Sequence, residues 1–306
     1  MLTKFWEKIG EGVASEWNSK TLTPAIAFWG GVVICWVWKN GWDKLNRIII
    51  NIDLITGVAL IISGVFILAI SSSLVQWLTL PMLKVTEGYW PYWLWWLRGM
   101  ITNRINRKVA EKEKEWSKLA ESFNTRKLDG KELEKYILLD ADLSNFPLDM
   151  NKRKPTILGN ILSAAEEYPE TAYGLEIGVT WPRLWLIMPE NMQNEINEIR
   201  QALNYGAQLF IWGGAFVIFT IWAWWAALIT FFIMVITYSR MKALADVYGQ
   251  IIRSSYDLHR FAIYKSMHWP IPSDPYSEVT VGQSLTLFLK RNILPSEMEY
   301  IHPKDE

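Results

Sequence analysis

Three long runs of uncharged, mostly apolar residues restrict the fold of this chain more than any other feature of its sequence. They cover residues 22–38, 54–83 and 205–239. As an α-helix, the second run would measure about 45 Å, which exceeds the hydrocarbon thickness of a bilayer. We therefore expect an all-α integral membrane protein with three or four membrane helices and a helical cytoplasmic domain.

The composition excludes several other classes of protein. The 306 residues include 31 basic and 31 acidic side chains, so the net charge of zero gives no electrostatic basis for direct nucleic-acid binding. The 19 tryptophans are typical of a protein that anchors its helices at membrane interfaces. The single cysteine, Cys35, excludes an intrachain disulfide scaffold and a cysteine-rich zinc site.

Charge and hydropathy divide the chain into five regions. We expect them to be an N-terminal amphipathic segment (1–21), a first membrane region (22–97), a cytoplasmic helical domain (98–204), a second membrane region (205–239), and a cytoplasmic helix with a C-terminal piece (240–306). The first membrane region should contain helices at about 22–38 and 50–83, followed by an interfacial aromatic segment at 84–97.

The third apolar run allows two topologies. It can cross as one tilted helix, or as two short helices that turn near Trp222, Trp224 and Trp225, which would move these indoles from mid-membrane to a surface. With the turn there are four crossings, and the basic residues at 84–108 and 240–242 share the cytoplasmic side. The positive-inside rule slightly favours this second topology, and both stay open at this point.

Shorter signals predict elements outside the apolar runs. Residues 100–123 carry dense alternating charge without Gly or Pro, which is typical of a solvent-exposed helix. A turn at 128–131 should precede a second helix, and helical spacing resumes at Ile157. Apolar residues at three- and four-residue steps after Arg240 predict that the last apolar run continues as an amphipathic helix.

Prolines are expected to limit several helices. Pro81 should end or kink the second membrane helix, Pro182 should occupy the first position of a helix, and Pro189 should precede another. Trp269 and Pro270 should end the amphipathic helix. After them, the sequence of residues 278–281 predicts a short strand.

Several short motifs occur in the second half of the chain: PTILGNIL at 155–162, YGLE at 173–176, WPRLW at 181–185, DLHRF at 257–261 and WPIP at 269–272. Their combination resembles uncharacterised bacterial integral membrane proteins over residues 155–272. The resemblance implies a bacterial origin, a multi-pass location in the inner cell membrane, and one architecture over that half of the chain. It implies no activity and no functional residues.

Motifs for catalysis or cofactor binding are missing from the sequence. It contains no phosphate-binding glycine loop and no nucleophile elbow of the G-x-S-x-G type. The histidines at 259, 268 and 302 lack the spacing of a metal site. Asp140 and Asp142 would diverge on a helix, so they cannot work as a paired acid and base. We therefore expect no enzyme, no cofactor and no metal.

Small and polar residues recur on one face of the second membrane helix. Ordinary helix packing accounts for such a face, because small residues let two backbones approach. Alternatively, identical helices of a homo-oligomer surround a pore, with an acidic ring that attracts cations and with two apolar constrictions. The acid favours the pore slightly, since a carboxylate beside hydrocarbon is costly. The predicted pore-lining residues are Asp53, Thr56, Leu60, Ser63, Ile67 and Ser71, with Leu60 and Ile67 as the constrictions.

These observations predict an oligomeric membrane channel or pore that is controlled by its cytoplasmic domain. One setting would be bacterial antiphage defence, in which an effector disrupts the membrane. Its partners would be the lipid bilayer, further copies of the chain, and a cytoplasmic protein or nucleotide as trigger. The alternative is a membrane-anchored interaction module that recruits a cytoplasmic partner. A membrane enzyme acting on lipid would need a buried polar cluster that the sequence does not show.

Overall fold

The computed structural model describes residues 19–125 and 129–294, and all regular secondary structure within these ranges is helical. The predicted N-terminal segment therefore lies almost wholly outside the described residues. The described part divides into two compact units: unit 1 contains residues 19–83 and 202–241, and unit 2 contains the rest. The α-helices are α1 (Ser19–Asn40), α2 (Trp42–Ile50), α3 (Leu54–Thr86), α4 (Trp95–Thr125), α5 (Gly130–Leu143), α6 (Ile157–Tyr173), α7 (Ile177–Ile187), α8 (Glu190–Ala215), α9 (Trp225–Ser266) and α10 (Pro275–Arg291).

Within the described residues, three helical segments are long and apolar enough to cross a membrane. They are Leu54–Thr86, Glu190–Ile221 and Trp225–Ser266. The prediction of an all-helical protein with membrane-compatible helices is confirmed to this extent. α1, which contains the first apolar run, is not among the three. Its crossing stays a prediction, as does the side of the membrane on which unit 2 lies.

The third apolar run is a helical hairpin. α8 continues as a 3₁₀ turn at Phe216–Ile221, and α9 begins at Trp225, so that Trp222 and Trp224 lie where the chain reverses. Of the two topologies that the sequence left open, the structure has the one in which the chain turns near these tryptophans.

Glycines on α8 let the two arms of the hairpin pack closely. A Cβ atom added at Gly206 would lie 2.7 Å from the Met241 side chain, and one added at Gly213 would lie 2.5 Å from Ile233. These pairs occur in opposite order along the two helices, so the arms are antiparallel. Small residues at these positions bring the helix backbones together, as is usual for helices in lipid.

Aromatic side chains fill the contact between α1 and the hairpin. The ring of Phe28 lies 4.8 Å from that of Trp212 and 5.5 Å from that of Phe219, measured between centroids. Cys35 and Ala223 are buried in the neighbouring cluster. Tilted and edge-to-face aromatic contacts therefore hold α1 against the hairpin.

α3 does not end at Pro81, contrary to one alternative predicted from the sequence. The helix continues to Thr86 because an internal proline removes only one backbone donor. It ends where Gly88 adopts a positive φ of 92°, and the N–H of Tyr89 then donates to the carbonyl oxygen of Lys84 at 2.8 Å. The glycine, which tolerates this left-handed conformation, is the effective stop signal.

In unit 2, α4 and α5 pack as an antiparallel pair. The ring of Tyr136 on α5 stacks on Trp116 and on Phe123 of α4, each with centroids 5.8 Å apart. An Asp129–Glu132 capping box starts α5. The solvent-exposed helix predicted over residues 100–123 and the helix after the turn at 128–131 are both present.

Two local predictions in unit 2 are wrong. Pro182 lies inside α7, which begins at Ile177. The turn before the proline is fixed in the core, because the buried Thr180 hydroxyl contacts the Tyr256 hydroxyl at 2.8 Å. The strand predicted at 278–281 is part of α10. Asp274 accepts from the backbone N–H groups of the first turn, with proline at the first helical position, and these two signals outweigh the β-branched residues that follow.

Several residues of the motifs that carry the resemblance lie in the core of unit 2. The buried Asn160 amide bonds to the backbone of Lys154 both as donor and as acceptor, each at 2.8 Å. A side chain at Gly159 would overlap the carbonyl oxygen of Glu87, and one at Gly282 would overlap that of Tyr173. Trp269 packs on Phe288 with centroids 5.1 Å apart. Packing therefore accounts for these motif residues.

Candidate functional site

Asp53, the predicted acidic ring residue, caps the N-terminus of α3. Its carboxylate accepts from the Thr56 hydroxyl and from the backbone N–H groups of Ile55 and Thr56, at 3.2 and 3.3 Å. The hydrogen bond from the Thr56 side chain, followed by that from its backbone, lowers the pKa of Asp53. The carboxylate is exposed and ionised, and its position has a local explanation in helix capping.

The middle of the predicted pore face is uncovered within this chain. Thr56 and Ser63 are exposed, Leu60 has 54% of its surface exposed and Ile67 has 46%. The most apolar stretch of α3 contains no buried residue. No described helix of unit 1 covers these four side chains. The opposite side of this part of α3 is also exposed, with Ile62 at 52% and Phe66 at 63%, so the hydroxyl groups distinguish the predicted face.

Ser71 is placed differently from the other predicted residues. It is partly buried, its hydroxyl donates to the Leu68 carbonyl oxygen at 3.1 Å, and it accepts from the indole N–H of Trp29 at 3.2 Å. This hydrogen bond joins α3 to α1. Ser71 thus belongs to an intrachain contact, which the sequence did not predict because its partner is on another helix.

The residues of α3 that pack within unit 1 follow a separate stripe. They recur at steps of three and four residues and are Ser72, Val75, Thr79 and Leu83. At 100° per residue this stripe lies about a third of a turn from the predicted pore face. α3 therefore packs within unit 1 through the C-terminal part of this stripe. The N-terminal half of α3, including most of the predicted pore face, is exposed.

Unit 2 contains a cavity that the sequence did not predict. Its volume is 1030 Å³, and it lies between α4, the end of α5 with the loop that follows, α6 and α9. The lining is mainly apolar and includes Trp116, Phe146 and Leu148. Cavities of this size and character are typical of small-molecule sites. Its walls come from segments far apart in sequence, so no local pattern marks it.

Each carboxylate of the cavity wall already has partners. Glu113 pairs with Arg153 at 2.8 Å, and Asp140 accepts from the Trp116 indole at 3.0 Å. Glu167 accepts from the backbone N–H groups that follow Pro147, at 2.6 and 3.2 Å. These acids stabilise the local fold.

The cationic groups of the wall are less occupied. The Arg253 guanidinium donates through Nη2 to the Ser144 carbonyl oxygen at 2.8 Å, whereas its buried Nε atom has no partner. Lys114 also lines the cavity and is exposed, and its side chain makes no hydrogen bond or ion pair with any residue that the structure describes. The two cations that line the cavity therefore have no acidic partner among the described residues.

Two tyrosines lie beside the cavity with a shared acceptor. The hydroxyls of Tyr168 and Tyr173 donate to Asp257 at 2.9 and 2.6 Å. Burial, together with the hydrogen bond to Asp257, raises the pKa of both phenols. They are protonated donors at neutral pH, which makes them links between α6 and α9 rather than nucleophiles.

A pair of acids lies where unit 2 begins. Glu87, directly after α3, is half-buried. Burial, and then repulsion from Glu166, raise the pKa of Glu87, and the charges of Arg200 and Lys154 partly offset this rise.

Within the described residues, no cluster of three or more histidine, cysteine or acidic side chains is arranged to hold a metal.

Over residues 19–125 and 129–294, these features define the class of protein as an all-helical chain with three membrane-compatible helices and a polar helical unit that contains a cavity. Comparisons with protein-family models, with curated proteins and with solved structures find no match to it. Functional inference therefore depends on the geometry of the chain itself.

Proposed function

We propose that the protein is a homo-oligomeric membrane channel or pore whose opening is controlled by unit 2. The observation that supports this proposal best is the open face of α3 formed by Thr56, Leu60, Ser63 and Ile67. An apolar helix can leave such a face to lipid, but hydroxyls there are better placed between subunits or beside water. Copies of α3 around an axis would direct this face inward.

In this arrangement the residues of α3 have distinct roles. The ionised Asp53 carboxylates would form a ring at the mouth, where they raise the local concentration of cations. Leu60 and Ile67 would close the pore by excluding water until the helices separate. The proposed trigger is a cytoplasmic protein or nucleotide acting on unit 2, and the proposed location is a bacterial inner membrane.

Bacterial antiphage defence is the proposed setting, because uncontrolled ion flow would stop an infected cell. Its test is a phage infection assay: cells that express the wild type should show higher survival of the culture than cells with a conduction-defective variant. Equal survival would remove defence as the setting without affecting conduction itself.

A specific observation favours a second function, a membrane-anchored interaction module. The polar groups of the α3 face are all satisfied without water, since Ser63 donates to the Ala59 carbonyl oxygen at 2.8 Å and Ser71 pairs with Trp29. Under this alternative the face has no role in conduction, and unit 2 recruits a cytoplasmic partner.

Ion flux from liposomes separates the two functions through a matched pair of variants. Leu60→Ser and Ile62→Ser make the same chemical change within one helical turn, but Ile62 lies on the opposite side of α3. A channel predicts that Leu60→Ser raises basal flux because it removes an apolar constriction, while Ile62→Ser leaves flux at the wild-type level. An anchor predicts no flux from either variant.

A further inference from the structure

The cavity of unit 2 has the size and lining of a ligand site, and the proposed channel function does not use it. Its wall is mostly hydrocarbon, with the aromatic rings of Trp116 and Phe146 on different segments. An apolar wall of this kind gains from contact with an apolar molecule, because water in it makes few hydrogen bonds.

The polar groups of the wall select for one kind of head group. The acids Glu113, Asp140 and Glu167 are engaged by donors of the protein itself. Arg253 and Lys114 retain free donors, and the bond from Arg253 to Ser144 fixes the position of the guanidinium. An anionic head group would pair with these two cations, because neither has an acidic partner among the described residues.

We propose that this cavity binds a single-chain amphipathic organic acid. The chain of the ligand lies along Trp116, Phe146 and Leu148, and its carboxylate pairs with the Arg253 guanidinium and with the Lys114 ammonium. Bonds between a charged donor and a carboxylate are the strong class of hydrogen bond, so the acid group supplies specificity while the chain supplies contact area. Conduction by α3 is not required for this binding.

Binding can be measured with the full-length protein in lipid nanodiscs. The probe is dansylaminoundecanoic acid, whose fluorescence rises in an apolar site, with its methyl ester as the neutral counterpart and empty nanodiscs as the background. We expect saturable binding of the acid above that background. We also expect displacement by decanoic acid and at least about tenfold weaker displacement by decanol, because the alcohol lacks the charged acceptor.

Two kinds of variant locate the site. Ala110→Trp adds a large ring at an exposed position of the cavity wall, while Asn103→Trp adds the same ring to an exposed position of α4 outside the wall. The first variant should abolish saturable binding and the second should preserve it. Lys114→Gln and Arg253→Gln should each weaken binding of the acid by about tenfold without weakening binding of the ester.

Several results would overturn the proposal. They are an absence of saturable binding to the wild type, equal binding by Ala110→Trp and Asn103→Trp, or equal affinity for the acid and its ester. Thermal unfolding of each variant shows whether unit 2 is intact, and a folded Ala110→Trp variant that still binds the acid contradicts the assignment directly.

Discussion

A buried ion pair between Arg260 and Glu278 should couple α9 to α10 in a measurable way. The guanidinium Nε donates to the carboxylate at 2.6 Å, and the two side chains are 18% and 8% exposed. The guanidinium also lies over the Tyr173 ring, 4.3 Å from its centroid. Glu278→Leu would therefore remove the acidic partner of a largely desolvated cation and leave its hydrogen bond to the Asp257 carbonyl oxygen.

The expected size of the effect follows from this burial. Removing one partner of a buried pair costs about 3–5 kcal/mol, and the remaining exposure of Arg260 places Glu278→Leu near the lower end, at about 3 kcal/mol. Replacing both residues by leucine removes both charges. We expect the double variant to be destabilised by less than the sum of the two single variants, because no unpaired charge is left in the protein.

The assay is a double-mutant cycle on the full-length protein in detergent, with the free energy of unfolding measured from denaturant titrations. Gln283→Leu, at an exposed position of α10, is the control for adding an apolar side chain to this helix. Additive effects of Arg260→Leu and Glu278→Leu, or a change below about 1 kcal/mol for Glu278→Leu, would refute the reasoning, since they indicate a solvent-screened pair.

Three further predictions concern other contacts. Burial raises the pKa of Glu87 in the folded state above its unfolded value, so the free energy of unfolding should fall as pH rises through the folded-state pKa. Thermal unfolding at pH 5 and pH 8 should therefore show a smaller pH effect for Glu87→Gln than for the wild type. Ser71→Ala removes the hydrogen bond to Trp29 and should lower the free energy of unfolding by about 0.5–1.5 kcal/mol. Ser73→Ala, at an exposed position, should leave the free energy of unfolding unchanged, and equal effects of the two variants would contradict the contact between α3 and α1. Gly282→Ala should lower the melting temperature sharply, because its Cβ would overlap the Tyr173 carbonyl oxygen, and a wild-type melting temperature would be inconsistent with this packing.

The sequence predicted the elements whose cause is local. The apolar runs gave the long helices, and the tryptophans at 222–225 indicated the hairpin because an indole is unfavourable at mid-membrane. Alternating charge gave α4. The strand expected at 278–281 is helical because the Asp274 cap and Pro275, both present in the sequence, outweigh the β-branched residues of that segment.

Other features depend on contacts between distant residues. Ser71 was grouped with the pore face by helical spacing, which cannot show that Trp29 on another helix donates to it. The cavity brings Lys114 and Arg253 into one wall only through the packing of four segments. The polar face of α3 was predictable as a pattern, whereas its function depends on what other chains or lipids contact it.

Accessibility of α3 to water-soluble reagents tests the central proposal most directly. Single cysteines are placed at Ser63 and Ile67 on the proposed pore face and at Ile62 and Val65 on the opposite side, in a Cys35→Ser, Leu60→Ser background from which the proposed constriction at position 60 has been removed. The liposome-reconstituted protein is then treated with a membrane-impermeant methanethiosulfonate. The channel account predicts that the cysteines at 63 and 67 are modified and that those at 62 and 65 are not. Modification of neither face, or of both faces equally, would contradict it.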